Sequence, residues 1–254
     1  MFCNAITEVK DSFQGRLSGN TLKIIAAIAM IIDHVGIMFF PGVAIFRIIG
    51  RLSFPIFAFM IAEGCRYTRN KLRYFTGIFA LATLCQLVYF IYNGDTYMSV
   101  LVTFSLSIIT VYALGYFKEC LFDKKIRIEK KIISFLLLFV VVAAVWFLNM
   151  KLTIDYGFFG CMLAPFAALL HPTKNNCPAW LKRLDRPVIH ALTMEIGVLF
   201  IAFSFGGRIA YYALLSMLLL AFYSGKRGKA KMKYFFYIFY PLHLLLLEGL
   251  SMII

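Results

Sequence analysis

Two long apolar runs near the start of the chain, joined by Pro41 and Gly42, most constrain what it can fold into. The first run, residues 22–40, reads LKIIAAIAMIIDHVGIMFF, and the second, residues 44–65, contains FRIIGRLSFPIFAFMIAEG. Each has about the length of an apolar helix that crosses a bilayer, which needs roughly 20 residues. Since a Pro-Gly pair is typical of a tight turn, the sequence predicts a helical hairpin inside a membrane.

The remainder of the chain repeats this pattern of apolar runs separated by short polar loops. Of the 254 residues, 62% are apolar and only 15% are charged, whereas soluble domains are near half apolar and a quarter charged. We therefore predict an all-α fold, a polytopic membrane helical bundle with about nine transmembrane helices. Residues 1–21 form a cytoplasmic N-terminal lead, and residues 22–254 form one transmembrane domain. The predicted spans are 22–40, 44–65, 74–92, 98–117, 132–149, 156–171, 188–205, 209–224 and 234–254.

The strong positive charge, +14 in total, follows the loops rather than the spans. With nine spans and a cytoplasmic N-terminus, all but four of the 26 Lys and Arg residues fall at the cytoplasmic side. The four exceptions are Arg47, Arg51, Lys151 and Arg208. This asymmetry is the usual signal of membrane orientation, so it explains the basic loops without nucleic acid as a partner. The partner that it does predict is the lipid bilayer.

Between Lys23 and Glu63, which lie near the cytoplasmic ends of the two arms, four ionisable residues lie well inside the hairpin: Asp33, His34, Arg47 and Arg51. Such residues are costly at membrane depth and by default indicate a functional site. Lys23 precedes His34 by eleven residues, which is close to three helical turns, so both face the same side about 16 Å apart. Arg47 and Arg51 share a face of the second arm, and the turn brings them to the depth of His34.

Two adjacent arginines in a membrane need an anion. Asp33 is turned about 100° from His34, so its partner comes from another helix, and one of the arginines is the natural candidate. The second arginine could meet Asp155, Glu195, or a phosphate or carboxylate of a ligand. Elsewhere, Glu63 is expected to pair with Arg66, three residues on. His171 and His190 lie at loop or span edges and are interpreted as ordinary interfacial residues.

This set of residues suits one kind of chemistry. A neutral imidazole such as that of His34 is a good general base for an attacking hydroxyl or amine. Nearby cations hold a phosphorylated donor or stabilise a developing oxyanion, and Lys23 lies where a donor would enter from the cytosol. No metal-ligand motif occurs, so no metal is predicted. Taken singly, each residue also has a structural interpretation, as a hydrogen-bonded packing histidine or a snorkelling arginine.

The motifs at both ends of the chain resemble those of the TraX family, whose founding member is the F-pilin acetylase of conjugative plasmids. The resemblance rests on LKIIAAIAMIIDHVGIMFFP and FRIIGRLSFPIFAFMIAEGCRYTRN in the hairpin. It also rests on YSGKRG at residues 223–228 and on KYFFYIFYPLHLLLL at residues 233–247. The family is in turn distantly similar to the membrane acyltransferase-3 type of O-acyltransferase. Lys23 stands where those enzymes carry an arginine before an essential histidine.

The resemblance implies an acetyltransferase of the bacterial cytoplasmic (inner) membrane that uses acetyl-CoA from the cytosol. The acceptor is an amine or hydroxyl of an unidentified peptide, sugar or lipid. The implied catalytic residues are His34, Asp33, Arg47 and Arg51, and the implied donor-binding residues are Lys23, Arg47, Arg51, Tyr240 and His243. His34 would be the base that activates the acceptor.

Two other classes of protein fit the same pattern. Buried charges, together with helix breaks at Pro55, Pro165 and Pro241, would also suit a small-molecule transporter or exporter. A non-catalytic component of a conjugation or surface-assembly machine would have the same membrane topology. Flux without a donor identifies the transporter. A function that survives the combined loss of His34, Arg47 and Arg51 identifies the assembly component.

Overall fold

The computed structural model describes residues 15–173, 176–230 and 232–251, and every regular element within these ranges is a helix. The predicted all-α class is therefore confirmed. Most of the predicted N-terminal lead, residues 1–14, lies outside the described residues. In chain order the helices are α1 (Gly19–Phe39), α2 (Ala44–Gly50), α3 (Ser53–Tyr67), α4 (Lys71–Asn93), α5 (Val100–Phe122), α6 (Ile128–Lys151), α7 (Gly157–Ala168), α8 (Ala179–Arg183), α9 (Pro187–Phe205), a 3₁₀ helix (Arg208–Leu215), α10 (Ser216–Ala221) and α11 (Lys233–Ser251).

Six segments of the described chain are long and apolar enough to cross a membrane, counting α2 and α3 together. The other three predicted spans correspond to shorter apolar helices. Predicted span 156–171 is only the 12-residue α7, about 18 Å long. Predicted span 209–224 begins as a 3₁₀ helix and continues as α10. Predicted span 234–254 corresponds to α11, whose last residues lie outside the described ranges. The described chain thus contains nine apolar helical segments, of which six meet the length and composition of a full span.

Capping residues set the start of α1. The side chain of Ser18 accepts a hydrogen bond from the backbone N–H of Thr21 at 3.2 Å, which satisfies one of the unpaired donors of the first turn. The helix therefore starts at Gly19, three residues before the predicted span and within the predicted lead. The backbone N–H groups of Gly19 and Asn20 bind the carbonyls of Lys226 and Arg227 at 2.8 and 2.9 Å.

The second arm of the hairpin, residues 44–67, has the length of one span but is interrupted near Pro55, where a helix break is predicted. It breaks at Arg51 and Leu52, between α2 and α3. The physical cause is Pro55, because proline has no N–H for the carbonyl of Arg51 and its ring crowds that carbonyl. The backbone N–H of Arg51 still bonds to the carbonyl of Arg47 at 3.1 Å, so the two arginines remain one turn apart.

The hairpin packs closely because glycines face larger side chains across it. A Cβ at Gly36 would collide with the side chain of Phe46, and a Cβ at Gly50 would collide with Asp33. Glycine at these two positions lets α1 approach α2 at the depth of Asp33. The carboxylate of Asp33 is thereby held against the second arm.

The short helix α7 lies at the centre of the bundle and contacts α3, α5, α6 and α9. Its Leu163 is fully buried, as are Ile108 of α5 and Met194 of α9. By contrast, α4 and α6 bury only 11% of their most apolar windows and expose large apolar side chains. Such outward apolar faces are those expected of helices in contact with lipid.

The loops that carry most basic residues meet at one end of the bundle. Leu17 pairs with Tyr223, Arg66 with Asp185, and the Lys118 amine donates to the carbonyl of His171. At the opposite end, Met98 pairs with Ile154. The basic loops therefore share one end, as the predicted orientation requires, and we call it the cytoplasmic end.

Candidate functional site

One cavity of about 760 Å³ runs through the bundle beside α1. Gly19 lines it near the cytoplasmic end and His34 lines it deep inside, about 22 Å further along the helix axis. The cavity therefore connects the basic end of the protein with the ionisable groups of the hairpin. Its inner wall includes Asp33, His34, Asp155, Tyr156 and Tyr240, and its cytoplasmic mouth includes Asn20, Lys23, Arg73 and Arg227.

The His34 ring is oriented by its own helix. Its Nδ1 lies 2.8 Å from the carbonyl oxygen of Met30, and a carbonyl can only accept, so Nδ1 carries the proton. The neutral imidazole then has its lone pair on Nε2. This is the form that a general base needs.

His243 on α11 has the same arrangement. Its Nδ1 lies 2.9 Å from the carbonyl of Phe239, and its buried Nε2 has no hydrogen-bond partner in the described part of the chain. The rings of His34 and His243 meet edge to face, with centroids 5.3 Å apart. Tyr240 lies against His243, with ring centroids 5.6 Å apart, and lines the cavity. The structure thus brings both predicted late-helix residues to the inner end.

The predicted cross-helix partner of Asp33 is Arg47, whose Nη1 donates to Oδ2 at 2.8 Å. Within the described ranges, the buried Oδ1 of Asp33 and Nε of Arg51 have no hydrogen-bond partner. Arg51 acts on both Asp33 and Asp155 through its charge. Among the described residues, both aspartates line the cavity, whereas neither arginine does. The surface at this end of the cavity is therefore carboxylate-rich, with the arginine charges outside its lining.

Asp155 was predicted only as a possible partner for an arginine, but it also lines the cavity, at the depth of His34. The hydroxyl of Tyr97 donates to its Oδ1 at 2.7 Å, and its backbone is held by Met98 and Thr103. Burial raises the pKa of the Asp155 carboxyl, although the Tyr97 hydrogen bond opposes that rise. An acid that ends a polar linker beside an apolar run was the signal available in the sequence.

Tyr156 also forms part of the inner end of the cavity. Tyr156 has a left-handed backbone conformation, φ 60°, which is uncommon for a residue with a side chain, and its ring stacks on Phe54 with centroids 3.6 Å apart.

Glu195, the other predicted partner for an arginine, instead accepts a hydrogen bond from Ser216 at 3.0 Å. The proposed Glu195–arginine pair is therefore wrong, since α9 places that carboxylate against α10.

The YSGKRG loop, residues 223–228, forms part of the cytoplasmic mouth. Its carbonyls at Lys226 and Arg227 cap the first N–H groups of α1. Gly228 has φ 94° and lies against the side chain of Ser18, a position that only glycine occupies easily. This docking places Arg227 near Lys23, and the two charges interact.

A second buried polar group, which we call the cytoplasmic cluster, was not predicted. It consists of Glu63, Arg66, His171, Asp185, His190 and Tyr223. Tyr223 donates to Oε2 of Glu63 at 3.0 Å, and Nε2 of His171 lies 3.4 Å from Oε1. Glu63 is also 3.9 Å from Arg66, so the predicted pair is present, but Arg66 binds Asp185 more closely, at 2.6 Å.

The interpretation of His171 and His190 as ordinary interfacial residues is wrong, because both are buried and their rings are 4.5 Å apart. His190 Nε2 donates to Asp185 at 3.0 Å. Burial alone would raise the pKa of Asp185, but hydrogen bonds from His190 and Arg66 hold this pKa well below its usual range. Burial lowers the pKa of His171 to about 4, although Glu63 acts in the opposite direction.

Among the described residues, no three His, Cys, Asp or Glu side chains are grouped so that they could hold a metal ion. The inner end of the cavity presents imidazole, carboxylate and phenol groups. The mouth is lined by three cationic residues, Lys23, Arg73 and Arg227, and by two asparagines, Asn20 and Asn70.

Comparison with known proteins matches residues 18–251 to the family described as TraX protein. An uncharacterized protein of Rickettsia prowazekii (strain Madrid E) is 34% identical over 87 residues, which are 30% of this chain and 35% of that relative. The probable fimbrial assembly protein FimC, serogroup H1, of Dichelobacter nodosus is 25% identical over 249 aligned positions, covering 91% of this chain and 94% of the relative. The chain thus matches about a third of the first relative's length and nearly all of the second's. No solved structure matches.

Proposed function

The chain belongs to the TraX family, and from that premise we propose that it is an integral membrane acetyltransferase. The donor is acetyl-CoA from the cytosol, and the acceptor is an amine or hydroxyl of a peptide, sugar or lipid. The founding member of the family is an F-pilin acetylase, and the resemblance to acyltransferase-3 enzymes that the sequence motifs predict would imply the same donor. The protein acts in the bacterial cytoplasmic membrane.

The observation that carries this proposal is that one cavity extends from the cationic mouth to His34. Acetyl-CoA has a phosphorylated nucleotide at one end and a thioester at the end of a long flexible arm. Lys23, Arg73 and Arg227 suit the phosphates. The length of about 22 Å along α1 lets the arm carry the thioester from this mouth toward the histidine.

In the proposed reaction, Nε2 of His34 accepts a proton from an uncharged amine or a hydroxyl. The acceptor nitrogen or oxygen attacks the thioester carbon, and the C–S bond then breaks. The proton passes from Nε2 to the leaving sulfur, so the products are the acetylated acceptor and CoA thiol. The Nδ1–H bond to Met30 keeps the ring in the tautomer that this exchange requires.

The other inner groups have supporting roles in the proposal. Arg51 has a buried Nε without a hydrogen-bond partner in the described chain, and it supplies positive charge near the developing oxyanion. Tyr240 lines the cavity and positions the thioester end of the donor, and His243 holds the His34 ring through its edge-to-face contact. The Asp33–Arg47 ion pair holds the helix against the second arm beside His34.

The test is a comparison of acetylated molecules in cells that have or lack the protein. Mass spectrometry of surface peptides, glycans and lipids should reveal at least one species that loses an acetyl group when the gene is deleted. Cells with His34→Gln at normal abundance should match the deletion. An identical acetylation pattern in all three strains would refute the proposed activity.

A non-catalytic role in assembly is the second candidate, because one relative is described as a probable fimbrial assembly protein. In that case surface assembly would fail on deletion, but His34→Gln would restore it fully. Scoring assembled surface structures by electron microscopy in the same three strains separates the two functions.

A further inference from the structure

The cytoplasmic cluster places one carboxylate, Glu63, in the wall of the cavity. Glu63 and Tyr223 both line the cavity, together with Tyr67. Glu63 itself is only 6% exposed. Because a buried carboxylate carries a large desolvation cost, a position on the cavity wall needs an explanation beyond packing.

A comparison with Glu195 makes this point sharper. Glu195 is similarly buried and also accepts a hydroxyl hydrogen bond, from Ser216. Its side chain faces α10 and does not line the cavity in the described part of the chain. The surroundings of Glu63 are richer, because a tyrosine, a histidine and an arginine all approach its carboxylate. These neighbours fix the orientation of Glu63 at the cavity wall.

The depth of Glu63 identifies what part of a ligand it meets. A Cβ at Gly19 would lie 3.4 Å from Sδ of Met60, so these two residues lie side by side at the same level of the cavity wall. Glu63 lies about one turn closer to the cytoplasm than Met60, and Lys23 lies about one turn deeper than Gly19. Glu63 is therefore at the mouth, alongside the cations that suit phosphates.

The Glu63 carboxylate repels phosphate but has lone pairs for a further hydrogen-bond donor beside those of its neighbours. Acetyl-CoA offers such donors near its phosphates in the ribose 2′-hydroxyl, the hydroxyl of the pantetheine arm and the exocyclic amine of adenine, and of these groups only adenine is aromatic. Tyr67 supplies an aromatic ring at the same mouth, with the guanidinium of Arg66 over its face at 5.1 Å. Bases stack on such rings.

We propose that the mouth of the cavity is an adenine site, in which Glu63 accepts a hydrogen bond from the exocyclic amine and Tyr67 stacks on the base. This proposal rests on acetyl-CoA being the donor. Tyr223, His171 and Arg66 are positioning residues that hold the Glu63 carboxylate. Asp185 and His190 act on Glu63 only through these neighbours. Asp185 binds Arg66, and His190 lies against His171.

The experiment measures binding of CoA to the full chain in lipid nanodiscs, with no acceptor present. Glu63→Gln should weaken CoA binding about tenfold, a conservative value for loss of a hydrogen bond to a charged group. Glu195→Gln is the matched control and should stay within about twofold. Thermal unfolding of both variants shows whether either has lost its fold.

A nucleotide swap separates recognition from general damage. A CoA analogue with hypoxanthine in place of adenine has a carbonyl where the amine was, so it should bind the unaltered protein about tenfold more weakly than CoA. Glu63→Gln should prefer this analogue, because the glutamine amide can donate to the carbonyl. The inference is overturned if Glu63→Gln weakens both nucleotides equally or neither.

The same binding measurement distinguishes the exclusion of acetyl-CoA as the donor from the exclusion of the adenine site alone. If the unaltered protein binds neither nucleotide, acetyl-CoA is not the donor and both proposals fall. If it binds both nucleotides equally well, acetyl-CoA remains a possible donor and only the adenine site is refuted.

Discussion

The imidazole rings of His34 and His243 meet edge to face, with their centroids 5.3 Å apart. They come from the first and last helices of the described chain, and each binds the carbonyl four residues before it through Nδ1. Both neutral rings consequently have their lone pair on Nε2. The pair places two basic nitrogens at the inner end of the bundle, although only His34 lines the cavity among the described residues.

The first prediction concerns the Nε2 atom of His243. His243→Phe keeps an aromatic ring against His34 but removes both ring nitrogens. We expect the rate of acetyl transfer at saturating acetyl-CoA to fall about tenfold, less than the roughly 100- to 10,000-fold effect of a direct general acid or base, because His243 does not line the cavity in the described chain. Transfer of labelled acetyl groups in membrane vesicles measures it. Full activity in His243→Phe would show that the residue serves packing alone.

The second prediction concerns the close approach of the hairpin arms at Gly50. Gly50→Ala adds a methyl group that collides with Asp33, so we expect a loss of about 1–3 kcal/mol in unfolding free energy. Gly115→Ala is the control, because a Cβ there meets nothing within 4 Å and alanine favours a helix. Denaturant unfolding in detergent compares the two. Equal stability of both variants would contradict the predicted contact.

The third prediction concerns the cations at the mouth. Arg227→Gln should raise the KM for acetyl-CoA about five- to tenfold, which corresponds to loss of one charged hydrogen bond, with kcat within about twofold. Lys226→Gln removes a neighbouring charge that does not line the cavity in the described chain, so its KM should change little. Equal effects of the two substitutions would indicate general surface charge and not a phosphate contact.

The fourth prediction is a pH dependence that arises from His171, which lies beyond the end of α7. Burial lowers its pKa from 6.5 to about 4 in the folded protein, so the unfolded chain takes up the proton first as pH falls. Its contribution to stability is complete above pH 6.5 and is lost as pH falls toward 4. By pH 5 the loss should reach about 2 kcal/mol.

Thermal unfolding at pH 7 and pH 5 measures this loss, and His171→Gln is the matched variant. The other groups of the cytoplasmic cluster, Glu63, Arg66, Asp185, His190 and Tyr223, are unchanged in that variant. We expect the difference in stability between the two pH values to shrink in His171→Gln. The same pH dependence in both proteins would assign the effect to another group.

Local patterns in the sequence were sufficient for part of the fold and site. The apolar runs predicted the helical class, and the spacing of Asp33 and His34 predicted that Asp33 would bind across the hairpin, as it does with Arg47. The helix break predicted at Pro55 is present at Arg51 and Leu52, but the breaks predicted at Pro165 and Pro241 are wrong, because α7 and α11 continue through these prolines, as membrane helices often do. The length of α7 was missed because an apolar run shows composition but not where a helix ends.

The cytoplasmic cluster could not be predicted from local patterns. Glu63 and Tyr223 are far apart in the chain, and only the packing of α3 against the loop after α10 joins them. His190 lies in α9 and meets His171 through the fold alone. Periodicity places a residue on a face of its own helix, but it does not identify the element opposite.

The most direct test of the central claim compares the unaltered protein with His34→Gln in inverted membrane vesicles that are supplied with labelled acetyl-CoA. Acetyl transfer to the endogenous acceptor should fall at least about 100-fold, as expected for loss of a general base. CoA binding should stay within about twofold, which shows that the variant is folded. Undiminished acetyl transfer by His34→Gln would contradict the assignment of His34 as the base.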